Sequence, residues 1–275
     1  MSCKAVLFSR LAVAPFIVIA YMPGVKYLLW SLCKSLIIFL FTILLLSCNK
    51  NNNDAFLQLN LLSQYHVDIP GISDLSSYMN ENEFLAVSDT LGKAYVISAT
   101  GELIRTLNYM GGDLEGVTFA SIDSTIFVLE EKKKVVVKLD TNGNEILRFP
   151  VVVNNTYIKH GPEGITFNPS NEHLYVVNES SPSLLIEMTL SGEVIASNEL
   201  NFAKDYSAVC YDPLDSSLWI LSDDSELLAK CDLSGNPLKQ CNTGIPKCEG
   251  LVVDSKHSRI YIISEQTSTL YTFSY

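Results

Sequence analysis

Histidine is scarce in this chain: it has four in 275 residues, and no spacing of these with the cysteines resembles a zinc site. A zinc-dependent lyase or lactonase would therefore lack its ligands. No glycine-rich phosphate loop and no G-x-S-x-G turn occurs, which removes two common phosphate-binding and serine-nucleophile signatures. Positive charge is also short, with 19 Lys and Arg against 30 Asp and Glu, a net of −11. Such a balance opposes binding to nucleic acid or to anionic lipid. It suits cations or cationic ligands instead.

Acids are missing altogether from residues 1–47, which carry Lys4, Arg10, Lys26 and Lys34 and end in the apolar run 35–47 (SLIIFLFTILLLS). A basic flank before a short apolar run describes a secretory signal, and the run is shorter than the roughly 20 residues a membrane-spanning helix needs. Leu45, Leu46, Ser47 and Cys48 match a bacterial lipobox, although Leu46 is bulkier than the usual small residue. Cys48 is accordingly expected to be acylated and to begin the mature chain, with an uncleaved membrane anchor as the alternative. Met22 is a second possible start, because 22–48 already forms a whole signal. Residues 48–55 read as a flexible polar tether and 56–275 as one domain. Loss of the leader removes four positive charges and leaves a net of about −15. The expected setting is the cell envelope, with the protein a monomer held to a bacterial membrane, at the outer membrane or its periplasmic face, through the lipid alone.

Internal repetition is the strongest pattern in the remainder. Residues 163–169 (EGITFNP), 174–179 (LYVVNE), 184–189 (LLIEMT), Ser191-Gly192 and 193–196 (EVIA) read as four strands with a tight glycine turn before the last. The unit recurs at 115–119 (EGVTF), 126–131 (IFVLEE) and 135–139 (VVVKL), and again at 207–213 (SAVCYDP), 218–223 (LWILSD) and 227–230 (LLAK). A degenerate first copy runs through 73–77 (SDLSS), 84–89 (FLAVSD) and 94–97 (AYVI). The last copy runs through 249–254 (EGLVVD), 260–265 (IYIISE) and 269–273 (TLYTF). The acid closing each second strand falls at 89, 131, 179, 223 and 265, steps of 42 to 48 residues. This spacing predicts an all-β, five-bladed β-propeller. The fifth copy lacks a fourth strand, and 56–67 (FLQLNLLSQYHV) is expected to supply it, closing the ring and removing an exposed edge.

Four cysteines, Cys210, Cys231, Cys241 and Cys248, cluster late in the chain. In an oxidising compartment they can pair, with Cys241 and Cys248 across one blade junction as the foremost pair, or remain small buried thiols.

In a propeller the first strand of each blade lines a central channel, and the start of the first strand meets the end of the second on one face. Glu115 and Glu131, Glu163 and Glu179, and Glu249 and Glu265 hold those two positions in blades two, three and five. Blades one and four have Ser73 with Asp89 and Ser207 with Asp223. Carboxylates gathered in a partly dry mouth repel one another unless a cation compensates, and calcium takes six to eight oxygen ligands. Alternatively, each Glu before Gly accepts backbone N–H groups from the next blade and locks the ring. Of the histidines, only His160 belongs to the acidic face.

The repeats resemble the SdiA-regulated, YjiK-like bacterial propellers, a likeness carried by 114–119 (LEGVTF), 162–169 (PEGITFNP), 177–179 (VNE), 249–251 (EGL) and 262–265 (IISE). It spans about residues 65–275 and departs from the pattern in blades one and four, where serine replaces the first-strand glutamate. The resemblance implies a five-bladed propeller distantly similar to NHL-repeat proteins, with calcium at an acidic site drawn from Glu115, Glu131, Glu163, Glu179, Glu249 and Glu265. Three functions follow as expectations. The first is a calcium-binding envelope lipoprotein acting as a binding module. The second is a metal-dependent hydrolase or lyase using the same site. The third is a purely structural ring.

Overall fold

Short runs of β-branched and aromatic residues, each stopped by turn residues, favour extended backbone that packs on both faces. The computed structural model describes residues 56–152 and 160–275, and among them every regular element is a strand. The leader, Cys48 and the tether lie outside the described residues.

Four sheets are built from consecutive strands. They are β2–β5 (Ile72–Ser77, Glu83–Ser88, Lys93–Ser98, Leu103–Met110) and β6–β9 (Leu114–Ala120, Thr125–Glu130, Val135–Leu139, Glu145–Pro150). Then come β10–β13 (Pro162–Asn168, His173–Asn178, Leu184–Thr189, Val194–Glu199) and β14–β17 (Ala208–Asp212, Ser217–Ser222, Leu227–Cys231, Pro237–Asn242). The fifth sheet has β18 (Cys248–Asp254), β19 (Arg259–Ser264) and β20 (Thr269–Ser274), with β1 (Asn60–His66) antiparallel outside β20. Asn60 lies opposite Ser274 and His66 opposite Thr269. The segment before β1 leaves this sheet for the neighbouring one: Phe56 bridges to Gln240 and Leu57 N–H donates to the Gln240 carbonyl at 3.0 Å.

The four blades built from consecutive strands repeat one local device. Gly101, Gly143, Gly192 and Gly235 turn the third strand into the fourth at φ between 80° and 93°, a region open to glycine at little cost. The core divides into five clusters, one at each junction between neighbouring blades, which is the packing expected of a closed five-membered ring. Leu85, Val87 and Val96 of the first blade, for example, pack on Val117, Ile126 and Val128 of the second.

Of the two alternatives for the late cysteines, the structure shows the thiols: Cys210, Cys231, Cys241 and Cys248 are all free. Cys241 lies on an outer strand opposite Leu228, whereas Cys248 opens an innermost strand with its thiol toward the Ser222 carbonyl. Burial pushes all four thiols up, so they behave as small apolar groups.

Candidate cation site at the channel mouth

The innermost strands begin with a defect in the ladder. In blades one, two, three and five the pairing with the second strand slips by one residue, and the unpaired residue is Ser73, Glu115, Glu163 or Glu249. Such a bulge takes a side chain out of strict alternation and re-aims it, here at the end of the channel. The glycine that follows is required by proximity. A Cβ on Gly116 would stand 2.6 Å from the Glu163 carbonyl oxygen, and one on Gly250 the same distance from Leu75 N. The second acid of each blade, Asp89, Glu131, Glu179, Asp223 or Glu265, is the residue directly after the second strand.

The structure brings five of the six predicted glutamates to one cavity of about 170 Å³, lined by Glu115, Glu163, Glu179, Glu249 and Glu265. Asp89, Asp205 and Asp223 join them, making eight carboxylates against one amine, that of Lys247. Glu131 stands beside this group: ligand oxygens of Asp113, Glu115 and Glu131 all lie within 4.8 Å of one another. His160 sits at the rim, its Nδ1 2.8 Å from Glu179 Oε2, and is absent from the cavity lining.

Burial and mutual repulsion leave a clear electrostatic mark. Burial first, then the charges of Asp89, Asp113, Glu249 and Glu131, pushes Glu115 up to about 9. Glu249 is raised to about 8 by burial and Asp223, with Lys247 opposing. Glu131 is raised to about 7 by burial and then by contact with Asp113. Glu163 lies well above the ordinary carboxylate range, through burial and then the charges of Glu115, Glu179, Glu131 and Glu249. Like charges crowded in a partly dry mouth store repulsion that either protons or a metal ion relieves.

The ring-locking role considered for the glutamates before glycine falls to other residues, Glu131 among them, whose Oε1 accepts from Gly161 N–H of the next blade at 2.9 Å. Among the described residues, neither Glu115 nor Glu163 takes a backbone N–H from a neighbouring blade. Instead buried Asp74 accepts from Val117 N–H at 2.9 Å, Thr118 Oγ1 from Phe167 N–H at 3.1 Å, and Thr166 Oγ1 from Tyr211 N–H at 3.0 Å. Ser73 and Ser207, where the glutamate is replaced, donate to the carbonyls of Leu114 (2.5 Å) and Cys248 (2.9 Å) in the next blade. The departures in blades one and four are thus blade-to-blade clamps.

Three participants escape the sequence pattern: Asp113, Asp205 and Lys247. Each lies two residues before its blade's inner acid or serine, in a connecting turn where residue type varies from blade to blade. Asp113 Oδ1 pairs with Lys132 at 2.6 Å, while Asp113 Oδ2 is buried without a hydrogen-bond partner. A larger cavity of about 440 Å³ opens at the other end of the first strands, among Tyr78, Phe84, Leu214 and Tyr261. Its charged groups are already paired, Glu81 with Lys256 at 2.5 Å and Asp254 with His257 at 2.7 Å, whereas the acidic mouth carries uncompensated charge.

Comparison with known proteins bears on the fold and the family. Among solved structures, the chain is similar to the glutaminyl cyclase of Myxococcus xanthus, with TM-score 0.62 and 11% identity over 78% of this chain and 95% of that one. It is similar also to the virginiamycin B lyase of Staphylococcus aureus, with TM-score 0.49 and 15% identity over 77% of this chain and 69% of that one. Identities this low speak to the fold alone. The family model described as SdiA-regulated matches residues 57–274, which takes in all twenty strands. The chain is a five-bladed β-propeller and belongs to the SdiA-regulated family.

Proposed function

We infer that this propeller is a calcium-binding module of the cell envelope, carried there by the leader and held by a lipid on Cys48. The observation that carries the reading is the donor set at the mouth: eight carboxylates and one amine around about 170 Å³, with Asp113 Oδ2 buried and unpartnered beside Glu115 and Glu131. The donors are all hard oxygens, which fit calcium and do not fit metals that prefer sulfur or imidazole. Asp113, Glu115 and Glu131 would hold the ion, with Glu163 lining the same mouth and feeling the charges of Glu115 and Glu131. When bound, the ion would supply a positive centre on which an oxygen-bearing ligand can be oriented. The chain's own contribution is rigidity, since Asp74 and the two serines clamp the inner strands from which the acids project.

A metal-dependent hydrolase or lyase is the second reading, favoured by His160 at the rim with Nδ1 on Glu179. It requires a proton-transfer group facing an open position on the ion. The discriminating experiment is calorimetric titration of chelator-stripped protein with calcium, paired with thermal melting. Binding and a raised Tm support the reading, and a D113N/E131Q variant is expected to lose affinity at least tenfold. No heat and no change in Tm would remove both the module and the enzyme and leave a structural ring.

A further inference from the structure

The slot two residues before the inner acid is held by Asp113 in blade two and by Lys247 in blade five. Its backbone does the same work in both. The N–H of the acid closing the second strand donates to the slot's carbonyl, Glu131 to Asp113 and Glu265 to Lys247, each at 3.0 Å. Both residues hold a left-handed backbone, φ 59° and 45°, which Gly71 adopts in the same slot of blade one at φ 61°. Glycine takes this conformation freely and lysine does not, so Lys247 keeps its place against the local backbone preference. The slot is therefore one frame presenting opposite charges at two sides of one mouth.

The amine is engaged with the acids. Lys247 Nζ contacts Oδ2 of Asp223, whose side chain is 7% exposed, and lies 4.0 Å from Glu249 Oε1. A divalent ion on those two carboxylates would meet the ammonium at contact range, where like charges repel strongly. On the other side Asp113 pairs with Lys132, which is 75% exposed on a flexible stem and easily displaced into water.

Resting on the cation-binding reading above, we propose that Lys247 is a built-in counter-ion that fills the Asp223–Glu249 half of the mouth. It limits the site to one divalent cation and directs that cation to Asp113, Glu115 and Glu131. The test is the calorimetric stoichiometry of calcium with the full chain and two variants. K247M keeps the length of the side chain and removes its charge, and K247G suits the left-handed backbone and so guards against misfolding. The wild type is expected to bind one calcium ion, K247M and K247G two, and the charge-preserving K247R one. Variants that still bind one ion, at unchanged or higher affinity, would overturn the inference and leave the cation-binding reading standing, as would a wild type that binds two. Absence of binding in every protein would defeat the underlying reading and this inference with it.

Discussion

Calcium bound at this mouth would expel protons, and the number would be set by the carboxyls that hold the ion. Glu115 is raised to about 9 and Glu131 to about 7. At pH 7 the first is then almost wholly protonated and the second about half, so ionising both releases about 1.5 protons per calcium. The release rises to about 1.9 at pH 6 and falls to about 1.0 at pH 8. By linkage the affinity climbs with pH, about 30-fold from pH 6.5 to 7.5. The assay is titration calorimetry at one pH in buffers of different ionisation enthalpy, where the slope of apparent enthalpy counts the protons. In E115Q the release at pH 7 should fall to about 0.5 while the remaining calcium affinity loses most of its pH dependence. A calcium affinity that is flat from pH 6 to 8 with no proton release would refute the reasoning, because it would place the ion away from the raised carboxyls.

The same shifts predict how the metal-free fold responds to pH. Carboxyls whose pKa is higher in the folded than in the unfolded chain stabilise the fold fully below the unfolded value and lose that stabilisation as pH rises through the folded one. For Glu131, Glu249 and Glu115 that window runs from about 4.5 up to about 7, 8 and 9, so Tm in chelator should fall from pH 6 to pH 9 and calcium should restore it. A Tm that rises over this interval in chelator would contradict it. Gly164→Ala puts a Cβ 2.7 Å from the Ala208 Cα of the next blade and should cost about 1–3 kcal/mol in urea unfolding. At Gly112 an added Cβ meets nothing within 4 Å, so Gly112→Ala should be near neutral, and equal effects at the two sites would count against tight inner-strand packing. Asp74→Ala leaves the buried Val117 N–H without its acceptor and should cost about 1–3 kcal/mol. Asp74→Asn keeps an acceptor and should recover at least half of that, as measured by the same unfolding curves.

The ring was legible because its signals are local and repeated. Glycine at 101, 143, 192 and 235 marks the turn into each fourth strand, which holds a positive φ, and the runs between these turns have the shape of buried strands. The pairing of Glu115, Glu163 and Glu249 with the acids after the second strands followed from antiparallel geometry alone. The bulge that aims those glutamates was hidden, since no residue type marks an unpaired position; the glycine beside it reports close approach of the next blade instead. Asp113, Asp205 and Lys247 were hidden for a related reason. In blades one, two, three and five the slot's carbonyl takes the N–H of the acid closing the second strand, yet its occupants span an acid, an amine and glycine, and in blade four Asp205 instead accepts Asp224 N–H through its side chain. Asp74 occupies the position of the close-packed glycine, where a sequence reader sees only a degenerate copy of the repeat. Its side chain acts as the blade-to-blade clamp that was the alternative role for the glutamates before glycine.

The account's central claim is that the acidic mouth is a cation site, and a crystal structure grown with calcium tests it most directly. The expected result is one ion with ligands from Asp113, Glu115 and Glu131, and Lys247 still on Asp223. A mouth free of metal at saturating calcium, with the same carboxyls hydrogen-bonded to one another, would contradict it.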